Sequence, residues 1–290
     1  MDIISYLSDA KTETAVIDLI YDNLFYYQNL DTSDKIDCFS SGLYNWFVQE
    51  SLQNNQYLFL SGQTYSKLFD LYRELVFRLK EISLEKKDKN LIAEIVRRHR
   101  KNLIVILRNI KDIDHEQTYI IPCSEYSAEL QQQVLRIDQT KIMGPLLDIG
   151  CGRNATLVTK MTEKGVDAYG IDQYLGSNKN IICKNWLDFD YGNQVWGTIV
   201  SHMAFSNHYR WNKNRKTELL HRYEQKYNEI LGSLKMGGMF AYAPSLQEIE
   251  TTLNPDEYEV LHFTNIVDDN DLKTTHIIKK NDTGIARIIL

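Results

Sequence analysis

The sequence predicts an α/β fold, a doubly wound sheet of seven strands preceded by an N-terminal helical subdomain. Three observations predict it. Leu146-Leu147-Asp148-Ile149-Gly150-Cys151-Gly152 runs an apolar strand pattern into a glycine turn, and a helical pattern opens at Thr156-Leu157-Val158. After it, short β-forming runs alternate with helical ones, as in a mostly parallel sheet with helices on both faces. Before it, residues 1 to about 120 hold no proline and only Gly42 and Gly62, and chain without breakers favours helices.

The helical subdomain is assigned to residues 1–120 and the sheet domain to residues 121–290. In the first, Ala15 to Tyr27 and Cys38 to Leu52 read as two helices rich in Tyr and Phe, with Trp46. Thr64 to Ile82 places Leu68, Leu71, Tyr72, Leu75, Val76 and Leu79 at helical spacing, with Thr64 or Ser66 as the cap. Asn90 to Ile110 repeats the pattern through Leu91, Ile92, Ile95, Val96, Leu103 and Leu107. The cluster Arg97-Arg98-His99-Arg100-Lys101 is expected to be the solvated face of that helix, because the chain carries a net charge of -6.

The sheet domain opens with a turn at Ile120 to Ser127 and a helix from Ser127 to Ile137. Leu146–Ile149 is the first strand, Thr156 to Lys164 its helix, and Gly165 the glycine that closes that helix. Val166 to Asp172, Ile181 to Lys184 and Thr198 to Ser201 supply the next three strands. One long amphipathic helix is expected from Arg215 to Leu234, then a fifth strand at Met239 to Ala243, ended by Pro244. Tyr258 to Phe263 and Thr275 to Lys280 complete the sheet as an antiparallel pair at its edge.

The totals exclude several classes. A sequence pI near 5.7 gives no field for nucleic acid. Cys38, Cys123, Cys151 and Cys183 are scattered, without metal-ligand spacing, which suits a reduced, cytoplasmic protein and no metal. The N-terminal residues lack the pattern of a signal peptide, and no apolar run is long enough to span a membrane.

The turn itself is chemically specific. Gly150-x-Gly152-x-x-Ala155 fits the loose dinucleotide-binding pattern, with Asp172 where a ribose-binding acid is expected. Asp148, however, stands inside the strand end, where an acid suits a ligand with a positive amino group better than a pyrophosphate. Leu147-Asp148-Ile149-Gly150-Cys151-Gly152 resembles motif I of the class I S-adenosylmethionine-dependent methyltransferases, and the resemblance covers about residues 120 to 280. It implies a Rossmann-like sheet and S-adenosylmethionine (SAM) as cofactor, with the helical subdomain as lid and substrate pocket. Two departures stand beside it. Asn154 lies in the turn and the third glycine is missing. No Asn-Pro-Pro-Tyr follows the fourth strand, so a DNA adenine or protein glutamine methylase is not favoured.

The resemblance places the cofactor against Asp148, Gly150, Cys151, Gly152 and Asn154. Asp172, with Gln173 and Tyr174, is set at the ribose. Asn185, Trp186 and Leu187 flank the adenine, with Asp188 as the alternative reader of its amine, and Tyr126 forms a wall. Ser201-His202-Met203-Ala204-Phe205-Ser206-Asn207-His208-Tyr209 follows the fourth strand as a loop beside the reacting centre. Ser201, His202, Asn207, His208 and Tyr209 are its catalytic candidates, with His202 or His208 as general base and Ser201 also touching cofactor. At least one of the two imidazoles is expected to be structural.

The expected reaction is methyl transfer to a small molecule by in-line attack on the sulfonium. A second reading attacks another sulfonium carbon and releases methylthioadenosine, by aminocarboxypropyl transfer or by a cyclisation such as azetidine-2-carboxylate synthesis. The rivals from other classes are an NAD(P)-binding oxidoreductase and a SAM-binding protein without catalysis. Neither nucleic acid nor membrane is an expected partner.

Overall fold

The computed structural model describes residues 3–82, 84–109, 123–174, 179–267 and 270–281. The chain forms two compact units, Met1–Cys123 and Ser124–Leu290. The boundary expected after residue 120, and the Ile120–Pro122 part of the turn expected there, lie outside the described residues.

Among the described residues, the first unit consists of helices α1 (Ile3–Ser8), α2 (Ala10–Asp22), α3 (Leu24–Gln28), α4 (Ser33–Asn54), α5 (Gly62–Lys80) and α6 (Lys89–Arg108). The cap of α5 is Ser61, whose side chain accepts from the Thr64 amide at 3.2 Å, so Thr64 is the capped residue and neither it nor Ser66 is the cap. Leu68, Val76 and Leu79 on α5 and Ile92, Leu103 and Leu107 on α6 are almost wholly buried and form the apolar stripes of these helices.

The basic cluster on α6 is split by helical geometry. Positions 99 and 100 fall on the stripe between Val96 and Leu103, so His99 and Arg100 are buried while Arg97 and Arg98 face outward. Arg100 donates to the Leu7 carbonyl at 2.7 Å and the Asp9 carbonyl at 2.9 Å, and it pairs with Glu13. The expected solvated face therefore holds for part of the cluster, and Arg100 instead ties α6 to α1 and α2.

The second unit begins with α7 (Ala128–Leu135), capped by Ser127, and a 3₁₀ turn at Gln139–Lys141. It continues as β1 (Leu146–Ile149), α8 (Thr156–Glu163), β2 (Ala168–Asp172), β3 (Ile181–Cys183) and β4 (Trp196–His202). Then come α9 (Phe205–Arg215), α10 (Leu220–Gly232), β5 (Leu234–Ala243), α11 (Gln247–Glu250), β6 (Tyr258–Val267) and β7 (Asn270–Lys279). The sheet order is β3-β2-β1-β4-β5-β7-β6. The first five strands run parallel, β7 is antiparallel to β5, and β6 is antiparallel to β7, as the sequence led us to expect.

Strand order reverses between β1 and β4, and the crevice beyond the strand ends opens at that reversal. All four residues of β1 are buried, which is why its letters read as one apolar run and why Asp148 within it is conspicuous. Val134, Leu135, Leu146, Leu157, Val158 and Met161 pack the core beneath this region.

The long helix expected from Arg215 to Leu234 is shorter: a separate helix, α9, already ends at Arg215, α10 covers Leu220–Gly232, and Leu234 opens β5. Lys216 adopts a left-handed conformation, φ 51°, and breaks the run, so α9 ends and α10 begins at Leu220. Behind β5, Glu250 on α11 is buried and takes hydrogen bonds from the Tyr242 hydroxyl (2.6 Å), the Leu246 amide (2.5 Å) and the Thr275 hydroxyl (2.9 Å). Its other oxygen lies 2.7 Å from His262 Nε2. One carboxylate thus joins α11 to β5, β6 and β7.

Candidate functional site

The glycine turn is held rigidly by its own neighbours. Gly150 and Gly152 have φ of 75° and 72°, the left-handed region that glycine enters without steric cost. The Gly150 amide donates to the Ile171 carbonyl at 2.9 Å, and the Cys151 amide reaches the same oxygen at 3.4 Å. Gly152 N–H donates to Asp172 Oδ2 at 2.9 Å, and Arg153 N–H to Glu125 Oε1 at 3.0 Å. The amides of residues 150 to 153 are therefore all spent inside the protein. An anion such as a pyrophosphate would find these four donors already taken, two of them by carboxylates.

Three acids gather at this turn. Asp172, at the tip of β2, also accepts from the Tyr174 amide at 3.4 Å. Burial raises the Asp172 carboxyl to about 6 despite the amides that favour its charged form. Asp148 is 1% exposed, and its Oδ2 has no hydrogen-bond partner. Burial first, and the neighbouring Asp172 second, raise its carboxyl to about 8.

A pH dependence follows. Folded Asp148 keeps its proton up to about pH 8, whereas the unfolded carboxyl releases it near 3.8. The folded state binds more protons across that window, so stability falls as pH rises through it. Asp148→Asn removes the titration, and its melting temperature relative to the unaltered chain should rise steadily from pH 5 to pH 8. An equal offset at both ends of the range would contradict the assignment.

Cys151 contributes only backbone. Its side chain is buried against Gly170, where an added Cβ would meet Sγ at 2.6 Å, so the cofactor-binding role expected of the residue does not extend to its thiol. Asn154 is exposed at the outer rim of the turn.

After β3 the two polar candidates, Asn185 and Asp188, lie in different settings. Asn185 Nδ2 donates to Gln173 Oε1 at 3.3 Å and its Oδ1 accepts from the Leu187 amide at 2.9 Å, which sets it beside the tip of β2. Asp188 turns away and pairs with Arg222 at 2.7 Å. Leu187 is buried, and Trp186 lies edge-on to His208 with centroids 4.7 Å apart.

The stretch after β4 departs most from expectation. It is not a loop, because α9 starts at Phe205, and Phe205, Ser206, His208, Tyr209 and Asn212 form its buried stripe. Ser201 Oγ donates to the Ile149 carbonyl at 2.9 Å and accepts from the Phe205 amide at 3.0 Å. That hydroxyl joins β1 to α9, with its proton committed to the Ile149 carbonyl. His208 is buried with Nδ1 3.2 Å from the Tyr223 hydroxyl, and burial lowers its pKa to about 3. Its setting is that of a structural imidazole, packed inside α9 against α10. Tyr209 is buried in α9 and Asn207 is half-buried there.

His202 is different. It ends β4, is 7% exposed, and its Nδ1 has no hydrogen-bond partner. Its ring meets Tyr126 edge-on at 4.7 Å, and burial lowers its pKa to about 4. Tyr126 is fixed by its carbonyl, which accepts from Thr156 Oγ1 at 2.8 Å and Gln131 Nε2 at 3.1 Å. The structure adds three residues that sequence reasoning did not assign. Glu125 lies over Gly152, and Ser206 and Ser245 are buried with hydroxyls that lack partners.

The site thus has a polar floor and closely packed walls. Buried side-chain atoms without a hydrogen-bond partner include those of Asp148 in β1, His202 at the end of β4, Ser206 in the first turn of α9 and Ser245 just after β5. The space above the turn is occupied by the protein's own groups. A Cβ on Gly150 would meet Trp186 at 2.6 Å, and one on Gly152 would meet both Glu125 oxygens at 3.0 Å.

No protein-family model matches this chain, and no curated protein sequence matches it. Solved structures similar to it include the plantazolicin methyltransferase BpumL in complex with SAH (TM-score 0.38, 15% identity, 53% of this chain and 83% of that one). Another is the N-methyltransferase NodS from Bradyrhizobium japonicum WM9 with S-adenosyl-L-homocysteine (TM-score 0.37, 15% identity, 53% and 87%). A third is the 1,6-didemethyltoxoflavin-N1-methyltransferase of Burkholderia thailandensis with its ligands (TM-score 0.34, 10% identity, 53% and 76%). Likeness at this level carries no function across, and the functional reading rests on the site.

Proposed function

We propose that the Ser124–Leu290 unit binds S-adenosylmethionine across its glycine turn and transfers the methyl group to a small-molecule acceptor. The observation that carries this reading is the turn whose amides are spent on internal acceptors, beside two buried acids of which Asp148 has an unpartnered oxygen. Such a turn favours a ligand with hydroxyls and a cationic end over a dinucleotide with its diphosphate. No described helix is long and apolar enough to cross a membrane.

The residues fit the cofactor in chemical type. Asp172 would accept from ribose hydroxyls, Asn185 would read the adenine amine, and Trp186 would cover a ring face. Asp148 would face the cationic end, whose charge would draw off the proton that the acid otherwise holds at neutral pH. Trp186 and Glu125 must move off the glycines to admit the ligand, since both now lie against them. When bound, the cofactor supplies an electrophilic methyl carbon. The protein's work is then to hold an acceptor in line and to exclude water. Tyr126 and His202 are the walls suited to that acceptor, and burial keeps the His202 imidazole unprotonated at neutral pH, so that its Nδ1 would orient the acceptor by taking a hydrogen bond from it.

The deciding experiment is a thermal-shift comparison. SAM or S-adenosylhomocysteine should raise the melting temperature and NAD should not. A shift with NAD alone would end the proposal. Product analysis then fixes the carbon attacked. S-adenosylhomocysteine formed only with an acceptor marks methyl transfer, and methylthioadenosine formed without one marks cyclisation or lyase chemistry.

Within this reading, Asp172→Ala should weaken SAM binding by about 1.5–3 kcal/mol, roughly ten- to hundredfold, the usual value of a hydrogen bond to a charged group. Calorimetric titration checks it, with circular dichroism to confirm that the turn, which Asp172 also holds, still folds. Unchanged affinity would remove Asp172 from the ribose.

A further inference from the structure

Glu125 is the one acid at the turn that comes from outside the strands. It belongs to the segment before α7, held in place where the next residue's carbonyl accepts from Thr156 and Gln131. Its Oε1 accepts from the Arg153 amide at 3.0 Å, and both of its oxygens lie 3.0 Å from where a Cβ on Gly152 would stand. The carboxylate therefore covers the face of the turn past which a ligand's tail must run. Two further observations in the same unit point to a ligand. The unpartnered Asp148 Oδ2 is 1% exposed two residues before the turn, and the unpartnered His202 Nδ1 is 7% exposed under the Tyr126 ring.

We propose that Glu125 is a specificity-determining residue, selecting ligands whose tail ends in an ammonium group over those whose tail ends in a carboxylate alone. This rests on the nucleoside reading given above. A tail carboxylate would have to displace Glu125 from the Arg153 amide and would then lie beside it and Asp172, like charges all. An ammonium instead pairs with Glu125 as it is displaced, and so replaces the hydrogen bond that the carboxylate gives up. Asp148 is the second acid that such a cation meets.

The test compares three nucleosides on the full chain by calorimetric titration. Methylthioadenosine carries a neutral tail. 5′-(3-Aminopropyl)thioadenosine carries only an ammonium. Deaminated S-adenosylhomocysteine carries only a carboxylate. The aminopropyl compound should bind at least fivefold more tightly than the carboxylate compound. Glu125→Gln should bring the ratio to within about twofold, and Glu125→Lys should invert it. On the unaltered chain the ratio should shrink between about 0.05 M and about 0.5 M sodium chloride, a measurement that needs no variant. A ratio indifferent both to salt and to Glu125, with methylthioadenosine still bound, overturns the selectivity and leaves the nucleoside reading standing. Binding of none of the three nucleosides removes both.

Discussion

Gly150→Ala should destabilise the sheet unit by about 3 kcal/mol, a fall in melting temperature of roughly 6–12 °C for a unit of this size. Two costs combine. The residue sits at φ 75°, where an L side chain is strained by about 1–2 kcal/mol. The new methyl would also stand 2.3 Å from Ala204 Cβ and 2.6 Å from the Trp186 ring. Ala204 cannot step aside, because it lies between Met203, itself at φ 57°, and the start of α9. The strain would fall on the β4–α9 junction, and with it on His202. Nucleoside binding should therefore be lost along with stability. A variant that melts within 2 °C of the unaltered chain would show that the turn is looser than its contacts imply.

Glu250→Ala should cost a similar amount, about 3–5 kcal/mol, without touching the glycine turn. It strips the acceptor from the buried Thr275 hydroxyl and Leu246 amide, and one of two partners from the Tyr242 hydroxyl, which keeps Tyr227; the His262 imidazole, half exposed, can turn to water. Buried donors left unpaired lose their desolvation energy outright. Glu250→Gln keeps one acceptor oxygen and should cost about 1 kcal/mol. Urea unfolding followed by far-ultraviolet dichroism gives both values. Equal small losses in the two variants would mean that the cluster relaxes or takes in water.

Much of the architecture was legible because central parallel strands are buried on both faces and announce themselves as short apolar runs. Leu146–Ile149 was bounded correctly, and the glycines after it marked the turn. Asp148 and Asp172 were legible as acids at strand ends for the same reason. The reading failed where polar letters are buried. Phe205, Ser206, His208, Tyr209 and Asn212 make a helical stripe, but two apolar residues among five do not look like one, so the letters of α9 read as a reactive loop. Ser201 illustrates the same difficulty, since nothing local reveals that its hydroxyl is committed to Ile149 and Phe205. His99 and Arg100 were hidden by their charged neighbours, although their register places them inward. Glu125 is legible only as a polar group before the sheet, because its contact with the turn depends on the path of a segment 28 positions upstream of Arg153.

The place of β7 has a consequence for biosynthesis. It is the last strand among the described residues, yet it lies between β5 and β6. A nascent chain leaving the ribosome would therefore carry β6 without a mate and the outer rim of β5 bare until residues 270–279 emerge. Thr274 and His276 on that strand also hydrogen-bond the Val134 and Leu135 carbonyls, so the end of α7 waits for the same late arrival. Translation stalled short of this strand would release a product with open β-edges, which is how aggregation starts.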